Sequence, residues 1–424
     1  MNASFRLGSS NERLEVSKDI FPFLGNAFLP ERAFVPIGYK NEDAPSLYVS
    51  TGSRVKEGEL IGKGSPLSCF SVIHSPIPGE VKGNREFEIM PSKILNTLDI
   101  LLDGSFDILG KAKKNYEWKN DDTSVLLEKI ENAGIADTAG RIVLPLSTYL
   151  KKALKKNITE VSTTLLDFYP SQSLDSFLGR ENFKRILEGA LILSHILNDV
   201  GIKIFHNIKD ARLIAGYQED AASICGSIPC HFHRVANIYP LHLNLISSTF
   251  FVDASTAYYV YEALVNDIPM TSVYVSVHGE LISKPKIFRA KIGTPIINLL
   301  QECARLNGEP YGVIINGLTS GYAIKDLNVP ITKDMKSIHV MGKKCLHLEE
   351  ELDCIGCARC FNACPCNIDP IAIVRAIKKD AVTEENAQAI KKCAGCACCS
   401  IVCPARNNLA RIITTYKDQF YPVL

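Results

Sequence analysis

The sequence predicts a multidomain α+β protein that ends in a metal-binding domain. Three observations predict it. Short apolar runs between regularly spaced glycines mark a small β domain early in the chain. Alternating helical and strand-like patterns follow through the middle. Ten of the 15 cysteines then fall between Cys354 and Cys403.

Composition bounds the rest. A chain of 424 residues has room for two to four domains. With 46% apolar and 22% charged residues, the balance is ordinary and excludes extensive disorder. Lys and Arg number 47 against 46 Asp and Glu, so nothing global favours nucleic acid. The longest run free of Asp, Glu, Lys and Arg is 235–252. It contains Asn237, Pro240, His242 and Asn244 and makes a poor bilayer helix. The first 15 residues lack an apolar run and carry Glu12 and Glu15, so they do not read as a secretory signal. A cytoplasmic chain docked on a membrane partner is expected.

Residues 1–33 read as an irregular leader punctuated by Gly8, Pro22, Gly25 and Pro30. Residues 34–121 read as a small sandwich or barrel. Its valines and glycines, Val49, Gly52, Val55 and Gly58 up to Ile61, recur as in lipoyl-like barrel-sandwich domains. The stretch His74-Ser-Pro-Ile-Pro-Gly79-Glu-Val81 resembles the exposed hairpin of that fold. A carrier would need a lysine at the tip, and none occurs between Lys63 and Lys82. The domain is therefore expected to be a scaffold rather than a swinging arm.

Residues 122–269 form the expected α/β layer. A helix starts at Ser124 and ends near Gly134. Strands are expected from Ile142 and over 161–166. Residues 183–200 place Ile186, Leu187, Ala190, Leu191, Ser194 and Leu197 at helical spacing, and 201–205 reads as the next strand. A helix over 256–264 completes the layer. Residues 270–332 read as a β-grasp module: strands over 272–278 and 287–292, then a helix with Thr294 as N-cap and Pro295 at its first position. Residues 333–352 read as a linker and 353–424 as the metal-binding domain.

That domain carries Cys354-Ile-Gly-Cys357-Ala-Arg-Cys360-Phe-Asn-Ala-Cys364-Pro and Cys393-Ala-Gly-Cys396-Ala-Cys-Cys399-Ser-Ile-Val-Cys403-Pro. Both are C-x₂-C-x₂-C-x₃-C-P, the two-cluster ferredoxin run in which the fourth cysteine serves the other cluster. One [4Fe–4S] cluster is thus expected on Cys354, Cys357, Cys360 and Cys403. The other is expected on Cys393, Cys396, Cys399 and Cys364. Small residues between the cysteines let backbone N–H groups approach cluster sulfurs. Zinc is the alternative metal, but its sites usually take two separated pairs. Cys366 and Cys398, and the scattered Cys69, Cys225, Cys230, Cys303 and Cys345, are expected to be free thiols. A metal site on Cys225, Cys230, His231 and His233 matches no assignable spacing.

The order of modules resembles the RnfC-like family, named for the C component of the Rnf electron-transport complex. The resemblance is strongest at 47–62, 254–302, 310–330 and the cysteine segment. It implies a complex-I-flavoprotein-like α/β layer, an SLBB-like β-grasp module and a 2[4Fe–4S] ferredoxin domain. It implies an iron–sulfur electron-transfer subunit of a membrane-bound ferredoxin:NAD oxidoreductase that pumps ions. Its partners would be the other membrane subunits and ferredoxin or another redox protein. It would sit on the cytoplasmic face of the bacterial inner membrane. The family also includes soluble reductases associated with cobalamin or proline reduction. An adaptor that has lost NADH oxidation is a third reading.

The family's flavin loop reads roughly Gly-Gly-Ala-Gly-Phe-Pro-Thr, because phosphate must approach backbone N–H groups. Here residues 134–145 read Gly134-Ile-Ala-Asp-Thr-Ala-Gly140-Arg-Ile-Val-Leu-Pro145. Arg141 and Ile142 stand where small residues are needed. The FMN and NADH sites therefore read as eroded, and no residue is assigned to either.

Overall fold

A computed structural model describes residues 3–7, 13–16, 20–90, 93–103, 116–139, 143–170, 172–236, 238–240, 249–303, 306–319, 321–342 and 350–421. They form a mixed α/β multidomain chain.

The first unit packs two sheets face to face. Strands Arg32–Tyr39, Lys93–Leu102, Gly79–Met90 and Arg54–Val55 lie side by side in that order. Ser46–Leu47, Leu60–Lys63 and Val72–His74 form the second sheet. Ala33, Val35 and Ile37 alternate inward on one strand, and Leu98 and Ile100 do so on its neighbour. Gly79 is required for this pairing: a Cβ there would sit 2.2 Å from the Leu101 carbonyl oxygen. The stretch that resembles an exposed hairpin is not exposed. Ser75 and Ile77 are fully buried, and the Ser75 hydroxyl donates to the Ile77 carbonyl at 2.7 Å. Ile77 belongs to the sandwich core, and burying that side chain turns the whole segment inward.

The α/β layer holds a parallel sheet ordered Cys230–Arg234, Gly201–His206, Glu160–Thr164, Phe250–Phe251. Helix Phe183–Ile196 is apolar nearly all round and is buried accordingly. It stops earlier than its periodicity suggests, because Asn198 and Asp199 take left-handed backbone (φ 69° and 55°). Gly189 lets it lie against helix Ala254–Leu264, since a Cβ would fall 1.9 Å from the Ala257 carbonyl oxygen. Asp253 caps that second helix, accepting from Thr256 N at 2.7 Å.

The third unit is a six-stranded mixed sheet. Its order is Tyr322–Ile324, Gly312–Ile315, Ser337–Met341, Ser272–Gly279, Lys286–Lys291, Phe23–Asn26. Helix Ile296–Glu302 packs with it. Pro295, not Thr294, stands at the N-cap, and the buried Thr294 hydroxyl has no hydrogen-bond partner among the described residues. Ser337–Met341 is a strand inside the 333–352 stretch expected as a linker.

The leader is not irregular either. Ala3–Leu7 and Arg13–Val16 pair antiparallel, and Ala3–Leu7 also pairs in parallel with Ile238–Tyr239. Phe23–Asn26 edges the six-stranded sheet. Its residues are mostly exposed, so no period-2 pattern marks it in the sequence.

The cysteine-rich unit is helical. Asp369 caps Pro370–Lys378, with Pro at the first turn, and Thr383 caps Glu384–Lys392. Leu409–Phe420 closes over both, burying Leu409, Ala410 and Ile413 with Ile373, Val374 and Ile390.

Candidate metal centre

The two cysteine runs fold alike. Gly356 and Ala358 take left-handed backbone at φ 71° and 56°, and Gly395 and Ala397 do so at 67° and 59°. Each left-handed alanine starts a four-residue helix, Arg359–Asn362 in the first run and Cys398–Ile401 in the second. A left-handed alanine costs roughly 1–2 kcal/mol. Its presence at matched positions means the turn that follows each C-x₂-C is built the same way twice.

The structure sorts the eight motif cysteines into two groups. Cys354, Cys357, Cys360 and Cys403 line one cavity of about 410 Å³, together with Ile355, Phe361 and Arg375. Cys364, Cys393, Cys396 and Cys399 line a second, narrower cavity of about 20 Å³, together with Cys366 and Cys398. In each group three cysteines come from one run and the fourth from the other. The outer group opens to solvent: Cys354 and Cys357 are exposed, and Ile355 on its rim is 72% exposed.

The inner group is covered by the α/β layer. Cys396, Cys398, Ala363 and Val402 pack with Tyr239, against which Tyr169 stands at a ring-centroid distance of 6.1 Å. The Cys398 thiol faces the Tyr239 carbonyl at 3.9 Å.

The donor set suits an iron–sulfur cube. Four thiols around a void can grip four corners of a cube, and backbone amides already address the sulfurs. Gly395 N donates to Cys393 Sγ at 3.4 Å. The Cys364 thiol is held below the usual thiol range, first by the Cys366 thiol that donates to it and then by backbone N–H groups of Ile368, Cys366 and Asn367. Burial pushes the Cys399 thiol up to about 12, with the neighbouring thiolates adding to the rise. A cube in the inner cavity must replace the contacts that Cys366 and Cys398 make to Cys364 and Cys396. Among the described residues no three His, Cys, Asp or Glu side chains converge on a point that would hold a single metal ion.

Among the other cysteines, Cys69, Cys225 and Cys303 are free and buried, and Cys230 and Cys366 are free and half-buried. Cys345 lies outside the described residues. The thiols of Cys225 and Cys230 share a hydrogen bond, and His231 and His233 gather no metal site with them.

A buried charge network has no counterpart in any sequence motif. Lys336 Nζ donates to Asp175 Oδ2 at 2.8 Å and to Asp253 Oδ2 at 2.5 Å. Burial, followed by the charge of Asp253, raises the nearby Asp137 to about 7. These residues come from four separate stretches of chain, so no local spacing could have revealed them. In the 134–145 loop, Gly140, Arg141 and Ile142 lie outside the described residues.

No family model matches the chain. It is similar to the C component of the ion-translocating oxidoreductase complex of Yersinia enterocolitica, at 25% identity over 81% of this chain and 51% of that protein. It is also similar to the C component of the proton-translocating ferredoxin:NAD(+) oxidoreductase complex of Clostridium ljungdahlii, at 23% identity over 84% of this chain and 80% of that one. The C component of the ion-translocating complex of Salmonella paratyphi A is 26% identical over 81% of this chain and 48% of its own length. The chain thus spans about half the length of the Yersinia and Salmonella relatives. Among solved structures, an NAD+-reducing [NiFe]-hydrogenase in the H2-reduced state aligns at TM-score 0.48 and 12% identity, over 70% of this chain and 62% of that one. The similarity to these C components runs over 81–84% of this chain's length.

Proposed function

We propose that this chain is the electron-relaying iron–sulfur subunit of an Rnf-type, ion-translocating ferredoxin:NAD oxidoreductase complex. The observation that carries the reading is the sorting of eight cysteines into two groups, each completed by a cysteine from the other run. Bound there, two [4Fe–4S] clusters would supply one-electron transfer.

Cys354, Cys357, Cys360 and Cys403 would hold the outer cluster, and Cys393, Cys396, Cys399 and Cys364 the inner one. The residues around them do the rest. The left-handed turns at Gly356, Ala358, Gly395 and Ala397 aim backbone amides at sulfur, which tunes potential. The close packing of the inner set under Tyr239 excludes water. The open outer face leaves room for a redox partner.

In the same reading residues 353–424 are a two-cluster ferredoxin domain. Residues 34–121 are a barrel-sandwich scaffold, 122–269 a flavoprotein-like layer and 270–332 an SLBB-like β-grasp module. Partners are the membrane subunits of the complex and a ferredoxin-type donor or acceptor, with this chain bound peripherally at the cytoplasmic face. Among the described residues no helix is long and apolar enough to cross a membrane.

Co-purification tests the assignment. Tagged full-length chain drawn from solubilised membranes should bring multi-span membrane subunits with it. Recovery of the chain alone, with reductase activity of its own, would favour a soluble reductase instead.

A further inference from the structure

The parallel sheet of the α/β layer ends, on its carboxyl side, at Thr164, His206, Arg234 and Phe251. The crevice beyond such strand ends is where open α/β sheets hold nucleotides. In this chain it is filled. Leu166 and Phe168, each 2% exposed, follow directly from the strand ending at Thr164. Phe168 meets Phe251 edge-on, with ring centroids 5.4 Å apart. Phe205 completes a buried cluster against which Ala139, Tyr169 and Val235 pack.

Two described amides of the loop that would cradle a phosphate are engaged as well. Thr138 N donates to the Thr256 hydroxyl at 3.1 Å, and Ala139 N donates to Asp137 Oδ1 at 3.1 Å. The Thr138 hydroxyl donates to Asp253 Oδ2 at 2.8 Å. Asp137 and Asp253 are both buried. A phosphate needs free N–H groups and positive potential. Among the described residues it would meet these spent donors, the Asp137 carboxyl group and an Asp253 carboxylate already paired with Lys336.

We infer that the chain has closed this crevice with its own side chains and takes neither flavin mononucleotide nor a nicotinamide dinucleotide there. Asp137 accepts the N–H that a phosphate would claim, and Phe168 and Phe251 occupy the space of a ring. The closed crevice adjoins Tyr169, which stands against Tyr239 over the inner cysteines. The layer thereby becomes a seat for the cysteine-rich unit. This inference is independent of whether the cysteines carry clusters.

The test uses the full-length chain purified without oxygen, titrated with FMN and separately with NADH. Quenching of flavin fluorescence and change in NADH fluorescence are the readouts, and iron is assayed on the same sample. No saturable signal up to millimolar ligand is expected, whatever the iron content. Saturable binding of one FMN or one NADH per chain would overturn the inference. A second measurement asks whether Phe168 is packed or merely lines an open site. F168A should lower Tm by several degrees, as loss of a buried ring from a filled core does. An unchanged Tm would overturn the claim that the crevice is filled.

Discussion

Lys336 Nζ stands 2.5 Å from Asp253 Oδ2, in the N-cap of helix Ala254–Leu264. It thereby ties the strand Ser337–Met341 of the third unit to the α/β layer. The same ammonium reaches Asp175 at 2.8 Å, and all three side chains are nearly inaccessible. One cation therefore serves two carboxylates, with Asp137 close by. K336M should destabilise the chain by about 3–5 kcal/mol, because it leaves buried carboxylates uncompensated. Denaturant unfolding would measure it, and a loss below about 1 kcal/mol would mean the network is well hydrated.

The network should also give stability an unusual dependence on pH. Burial and the Asp253 charge raise Asp137 to about 7. The folded chain then keeps a proton on Asp137 that the unfolded chain releases near pH 4. Stability from this group therefore rises as pH falls from about 7 toward 4 and is lost above 7. D137N keeps an acceptor for Ala139 N and removes the titration. It should flatten that slope and stabilise the chain by roughly 1–3 kcal/mol at pH 8. Thermal unfolding across pH 4–8 for both proteins decides it, and parallel curves would assign the slope elsewhere.

The two cysteine groups should be separable by mutation. C354S should reduce iron from about eight to about four per chain and spare the inner cluster. C396S should do the reverse, and should also loosen the packing under Tyr239. Iron analysis with electron paramagnetic resonance of the reduced proteins distinguishes them. Loss of all iron in both variants would mean that neither group assembles alone.

Cys398 lies between two motif cysteines yet packs on Tyr239. C398A should therefore retain about eight irons and lose on the order of 1 kcal/mol of stability, the worth of a small buried thiol and a weak hydrogen bond. Loss of four irons would make Cys398 a ligand.

The cysteine pattern is legible because its chemistry lies in short-range spacing. Cys354 to Cys364 and Cys393 to Cys403 each announce their turns and their exchange of a fourth cysteine. Helix Phe183–Ile196 and strand Ser272–Gly279 are legible for a similar reason, since their apolar periods are long and unbroken. The edge strand Phe23–Asn26 is not, because its partner Lys286–Lys291 is far along the chain and its own side chains are mostly exposed. The buried turn at Ser75–Ile77 reads as exposed because its stretch resembles the hairpin of lipoyl-like domains, whereas Ile77 belongs to the core. Tyr239 as the cover of the inner cysteines is invisible, since nothing local links residue 239 to residue 398. The Lys336 network is hidden in the same way.

Each four-cysteine group is proposed to hold one iron–sulfur cube. Iron and acid-labile sulfide, measured with zinc on full-length chain purified without oxygen, test it most directly. About eight irons and eight sulfides per chain are expected, with no stoichiometric zinc. Two zinc ions and no sulfide would contradict it.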